Sequence, residues 1–262
     1  MDSTPRTSVP AASCCRPEGC GCVALVLQGG GALGAYQAGV YDAMEEAGLH
    51  PDWVAGVSIG AINTALIAGN PPGRRVERLR AFWERVTARG VWPVPTPDGD
   101  DWRRARNLQS AFSTLLLGQP GFFRPNPMVP WLVPRGGRGA TAFYDTSPLR
   151  ETLEELVDWR LLNGGHPRVA FGAVNAETGN LFWFDCAKMV IGPEHVMASG
   201  ALPPGFAPVR VGTDWFWDGG LVSNTPLQYL LEQEERDGLV VQVDLFPACL
   251  LYTSDAADDT PC

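Results

Sequence analysis

The chain is short of histidine, of basic relative to acidic side chains, and of long apolar runs, and each shortage removes a class of protein. Its 262 residues carry 20 basic and 29 acidic side chains, a net charge of −9, with a pI near 4.8. A nucleic-acid binder needs a basic patch to displace phosphate counterions, so that partner is excluded, whereas a lipid surface is not. No apolar run reaches the roughly 18 residues that span a bilayer, and residues 1–22 lack the apolar core of a signal peptide. The expectation is a soluble cytoplasmic protein, with peripheral contact at a membrane left open. Paired CxxC spacing is also missing. Cys14, Cys15, Cys20 and Cys22 crowd together among Pro, Gly and Ser, which leaves two readings, a soft-metal site or a flexible leader over 1–22. The leader is preferred, and neither a metal nor a cofactor is called for.

Turns, by contrast, are plentiful. With 30 glycines and 23 prolines, about a fifth of the chain punctuates rather than propagates structure, and the length suits one domain. Val23 to Leu27 is a continuous apolar run, as in a strand buried on both faces, and Gly29-Gly30-Gly31 follow at once. Leu33, Tyr36, Val40, Ala43, Met44 and Ala47 then recur at helical spacing up to Gly48. Trp53 to Val57 and Ser58 to Ala68 repeat the strand-turn-helix unit, so the fold class is α/β with a mostly parallel sheet.

An amphipathic helix from Arg74 to Arg89 precedes an insertion over about 90–144, mixing prolines and glycines with large apolar side chains. It reads either as a lid or as a second layer of core. Ser147 is expected to cap a helix with Pro148 in its first turn. Strands near Val169–Val174, Leu181–Phe184, Val209, Trp215 and Leu239–Val243, with helices at Glu194–Ala198 and Pro226–Glu235, complete a domain over 23–248. Residues 249–262 show neither period nor cap and read as a disordered or non-native tail.

The sharpest chemical signal is Gly56-Val57-Ser58-Ile59-Gly60 at a strand-to-helix junction. Two glycines let the backbone turn tightly enough to push a serine hydroxyl out at the carboxyl end of the strand. Ser58 is then either a nucleophile or a simple helix cap. A nucleophile needs an oxyanion site and a base. Gly29-Gly30-Gly31 can converge backbone N–H groups on one point. The same turn fits G-x-G-x-x-G through Gly29, Gly31 and Gly34, but a dinucleotide site wants an acid after the second strand, where Ser58 stands. Among the three histidines, His50 and His166 lie in loops that precede strands, and His195 is a candidate base. Asp218, freed by Gly219 and Gly220 to approach another group, is the other candidate, unless Asp-Gly there is an ordinary turn.

The glycine turn after the first strand, G-x-S-x-G after the second and Asp218-Gly219-Gly220 near the far end, in that order over Val23 to Leu245, resemble the patatin-like phospholipase family. The segment Met197 to Val209 is similar to the stretch that precedes the aspartate in that family. The resemblance implies a three-layer sandwich, hydrolysis of lipid carboxylic esters, and a Ser-Asp dyad without histidine. Ser58 would be the acyl-accepting nucleophile and Asp218 the proton acceptor that later activates water. Amides of Gly29, Gly30, Gly31 and Ala32 would form the oxyanion hole, with Gly34, Gly56, Gly60, Gly219 and Gly220 shaping the turns. Ala32-Leu33 stand where many members carry Arg or Lys, so no charged contact to a phosphate head group is implied from that turn. Two rivals are a Ser-His-Asp triad of Ser58, His195 and Asp185, and a catalytically silent acyl- or anion-binding module.

Overall fold

A computed structural model describes residues 20–88, 117–127, 141–233 and 237–246. The expected tail, nearly all of the expected leader and most of the 90–144 insertion lie outside the described residues. The strands are β1 (Cys22–Leu27), β2 (Trp53–Val57), β3 (Arg124–Pro125), β4 (Tyr144–Asp145), β5 (Arg168–Asn175), β6 (Leu181–Asp185), β7 (Val209–Val211), β8 (Asp214–Asp218) and β9 (Gly238–Val243). The helices are α1 (Ala35–Glu46), α2 (Ile59–Ala68), α3 (Arg75–Thr87), α4 (Ser147–Leu156), α5 (Trp159–Leu162), α6 (Pro193–Ser199) and α7 (Leu227–Gln233).

Seven strands form one sheet along the path β7-β8-β5-β2-β1-β9, with β6 also on β5. Strands β9, β1, β2 and β5 run parallel, whereas β6 and β8 pair antiparallel to β5. Side chains alternate across a strand, so the central strands feed two cores. Leu25, Leu27, Val54, Val169 and Phe171 face the larger core with helices α1 to α6, and Ala24, Val26, Ala55 and Ala170 face Tyr229 and Leu230 of α7. This is the three-layer α/β architecture.

The register places the ends of two strands together. Gly172 of β5 pairs with Val57 of β2 on one edge and Trp183 of β6 on the other. Ala173, one residue on, pairs with Phe182 of β6 and Asp218 of β8. Because β6 takes one edge of β5 at both positions, β2 and β8 share the other and meet head to head. The residue after β2 is Ser58, and the last residue of β8 is Asp218.

Two local expectations are corrected. Thr146, not Ser147, holds the N-cap position of α4, and the Asp145 carboxylate accepts from Ser147 N (2.9 Å) and Ser147 Oγ (2.7 Å). Leu33 and Tyr36 do not lie on a buried helical face: they are 49% and 65% exposed, and α1 buries Gln37, Tyr41 and Met44 instead. A 3-10 turn over Gly31–Gly34 precedes α1 and shifts its phase, and the burial of Gln37 serves the polar contacts described below.

The described part of the insertion packs rather than projects. Phe122 sits against Phe82 of α3, and Phe122, Phe123, Tyr144 and Phe206 form one aromatic cluster with centroids 4.8–6.2 Å apart. At the leader's edge, Cys20 Sγ donates to the carbonyl of Cys22, the first residue of β1. Cys14 and Cys15 fall outside the described residues, among which no group of ligating side chains is arranged to hold a metal. No described helix is long and apolar enough to cross a membrane.

Candidate active site

Ser58 takes φ 56° and ψ −123°, and it is the one described residue other than glycine with positive φ. A β-carbon in this region costs of order 1–3 kcal/mol, so the surroundings must hold it. They do so by close packing. A Cβ at Gly56 would lie 2.3 Å from the Gly60 carbonyl oxygen, and one at Gly60 would lie 2.2 Å from that of Leu27. Both flanking glycines are therefore required for the approach of β2, α2 and β1. The N–H of Ser58 donates to Ser199 Oγ (3.0 Å), and that fully buried hydroxyl donates onward to the Gly172 carbonyl (2.7 Å). Every residue of α2 is buried, so the helix behind the serine has no freedom to pivot.

The Ser58 side chain lies beside the carboxylate of Asp218, close enough to act on its titration. Asp218 is 2% exposed, and its Oδ1 also accepts from Gly220 N at 2.8 Å. Burial pushes its pKa up, and the neighbouring Ser58 side chain and the Gly220 N–H offset this only in part. Gly219 lets the chain leave β8 against β5: a Cβ there would stand 2.4 Å from the Gly172 carbonyl oxygen. A half-buried hydroxyl thus rests on a carboxylate biased towards accepting a proton.

The glycine turn lies beside this pair, since a Cβ at Gly29 would sit 3.0 Å from Ser58 Cβ. Within the turn the four expected amides divide. Gly29 is buried and its N–H is taken by the Asn224 carbonyl at 3.1 Å, which removes it as an oxyanion donor. The amides of Gly30, Gly31 and Ala32 have no acceptor among the described residues, and Gly31, at φ 57°, and Ala32 are exposed. Polar side chains anchor the turn to the core. Gln37 Nε2 donates to the Gln28 carbonyl (2.7 Å), Asn63 Nδ2 donates to the Gly34 carbonyl (3.0 Å), and Asn63 Oδ1 accepts from Trp83 Nε1 (3.1 Å). Gly34 itself leaves room for Ile59, whose Cγ1 would be 2.5 Å from an added Cβ.

His195 and Asp185 are not brought together. The His195 ring lies edge-on to Phe184, its Nδ1 accepts from Gly192 N (2.9 Å), and burial lowers its pKa. Asp185 accepts from Arg168 Nε (3.1 Å) and the Tyr229 hydroxyl (2.8 Å), so both carboxylate oxygens have strong donors that are not His195. Sequence reasoning gave no role to Ser199 or Asn224. Ser199 had a signal, as the single polar side chain of Met197–Val209, whereas Asn224 stands between Ser223 and Thr225 and is not singled out by its neighbours.

Among known proteins, a family model described as patatin-like phospholipase matches residues 25–231. Patatin-like phospholipase domain-containing protein 6 of Mus musculus is 40% identical over 72 residues, 28% of this chain and 5% of that protein. An uncharacterized NTE family protein of Mycobacterium tuberculosis is 28% identical over 226 residues, 84% of this chain and 30% of its own length. The crystal structure of VipD from Legionella pneumophila aligns with TM-score 0.44 at 16% identity, covering 89% of this chain and 52% of that one. The chain therefore spans under a third of either of these two curated relatives.

Proposed function

The chain belongs to the patatin-like phospholipase family, and from that premise we propose that it is a serine acyl hydrolase cleaving carboxylic esters of lipids. The observation that carries the reading is the juxtaposition of the strained Ser58 with the buried Asp218 where β2 and β8 meet. Ser58 Oγ attacks the ester carbonyl while its proton passes to Asp218. The oxyanion so formed meets the amides of Gly30, Gly31 and Ala32, and each such donor is worth about 3 to 4 kcal/mol in the transition state. Collapse of the tetrahedral species expels the alcohol, which takes the proton back from Asp218. Water, deprotonated by Asp218, then attacks the acyl-Ser58 ester and releases the fatty acid. A carboxylate is a weak base for an alcohol, and its raised pKa narrows that mismatch.

Lipid rather than polar substrates are favoured by the surroundings. Segments 28–41, 199–209 and 219–231, which border the pair, hold no charged residue, and Leu33, Leu202, Leu221 and Val222 are exposed within them. Such a rim suits an acyl chain and peripheral contact with a lipid surface. The test is fatty-acid release from phosphatidylcholine, lysophosphatidylcholine and triacylglycerol by the whole chain and by Ser58→Ala. Release on at least one substrate should fall by roughly 10³-fold or more in the variant. Equal release by both proteins would refute the proposal.

A further inference from the structure

We propose that Asn224 is a positioning residue that clamps the glycine turn to the loop of Asp218 and so holds the oxyanion amides in register with the Ser58–Asp218 pair. The inference rests on the acyl-hydrolase reading. Asn224 engages both polar backbone groups of one residue: its carbonyl accepts from Gly29 N (3.1 Å), and its Nδ2 donates to the Gly29 carbonyl (2.9 Å). One residue back in the turn, Gln28 Nε2 donates to Thr225 Oγ1 (3.1 Å), so adjacent pairs, 28–29 and 224–225, are laced by three hydrogen bonds. The lacing joins positions 195 residues apart in the chain.

The carboxamide is also a spacer. Its Oδ1 would lie 2.2 Å from a Cβ at Gly29 and 2.9 Å from one at Gly220. It is therefore wedged between the glycine next to the oxyanion amides and the glycine whose N–H holds Asp218. Gln37 and Asn63 tie the turn to the core below it. Asn224 and Thr225 tie it sideways to the acid's own loop, and that direction sets the distance between the acid and the oxyanion site. Gly29 thus serves as the handle by which the turn is held, which accounts for a glycine whose N–H is spent. A displacement of about 1 Å at an oxyanion site is enough to cost two orders of magnitude in rate.

The test compares wild type, Asn224→Ala, Asn224→Asp, Thr225→Val and Ser58→Ala on one lipid ester, with binding of a long-chain alkyl trifluoromethyl ketone as the second readout. Ser58 adds to that ketone carbonyl, passes its proton to Asp218 and presents an oxyanion to the turn. Asn224→Ala should lower kcat roughly 30- to 100-fold with KM within about twofold, and weaken the ketone by the same factor. Asn224→Asp keeps the shape but turns an acceptor towards the Gly29 carbonyl, so it should lose at least as much. It also carries the test if the alanine variant does not fold. Thr225→Val should show the same split at roughly three- to tenfold. A residue that merely fills space would leave Asn224→Asp near wild type, or would lower kcat only in step with the folded fraction while ketone affinity per folded molecule stayed constant. Either result, with Ser58→Ala inactive, overturns the clamp and leaves the acyl-hydrolase reading standing. Hydrolysis that survives Ser58→Ala overturns that reading itself.

Discussion

Two buried aspartates end two strands on opposite edges of β5, and they are equipped for opposite tasks. Asp185 closes β6, is fully buried, and is surrounded by donors: the Arg168 guanidinium, the Ala187 amide and the Tyr229 hydroxyl. Burial pulls its carboxyl upward, but those donors together hold it below the usual carboxylate range. Arg168 in turn stacks over the Trp53 ring at 4.1 Å, and Tyr229 stacks on Trp183, so the ion pair fastens α7 to the sheet. Asp218 closes β8 beside one amide and one neutral hydroxyl, with no cation among its described partners, and has a pKa raised by burial. Equal burial with unequal partners separates an anchor from the carboxylate proposed here as the base, so burial alone does not identify a functional carboxylate.

That contrast can be broken in four ways. The largest effect is expected from Asp218→Asn, which should lower hydrolysis by roughly 10³-fold or more while increasing stability at neutral pH. A carboxyl with a raised folded-state pKa favours folding below its unfolded value and loses that contribution as pH rises through the folded one. The gain in thermal stability from the asparagine should therefore shrink on acidification, as calorimetry across pH would show. Next, the acidic limb of kcat/KM in the wild type should lie above the ordinary carboxylate range and fall about tenfold per pH unit below it. An acidic limb at the usual carboxylate value would separate Asp218 from the proton-transfer step.

Asp185→Asn is expected to behave in the opposite way. It leaves Arg168 without its anion at a partly buried position, so stability should drop by about 2 kcal/mol in denaturant titrations at neutral pH, with activity per folded molecule kept. Because its folded pKa is lowered, the wild-type advantage is present above the unfolded value and is lost as pH falls through the folded one. The smallest effect belongs to His195→Ala. Removing the ring from Phe184 should lower the melting temperature by a few degrees and leave kcat within about threefold. A loss beyond a hundredfold there would revive a histidine base.

Much of this contrast was legible in the sequence, and the remainder shows what one-dimensional reading lacks. Strand, glycine turn and helix are short-range patterns, so Val23–Leu27, Gly29–Gly31 and the Gly56–Gly60 elbow could be read directly. The fold class and the family followed from those motifs in order. The meeting of β2 with β8 could not be read, because it depends on Gly172 and Ala173 taking Val57 and Asp218 on one edge. Ser199 and Asn224 escaped for the same reason, since each hydrogen-bonds to a residue more than a hundred positions away. The face of α1 was misread because the 3-10 turn breaks the period before the helix starts, and because the buried position 37 is a polar glutamine. Gly29 looked like an oxyanion donor until its N–H was found spent on Asn224.

The most direct measurement of the central claim is site-mapped labelling by a long-chain alkyl fluorophosphonate, a lipid-like phosphonylating agent, in wild type and Asp218→Asn. Peptide mass spectrometry of the wild type should find the label on Ser58, and the asparagine variant should label at least a hundredfold more slowly. Labelling of a different serine, or an undiminished rate at Ser58 without Asp218, would contradict the account.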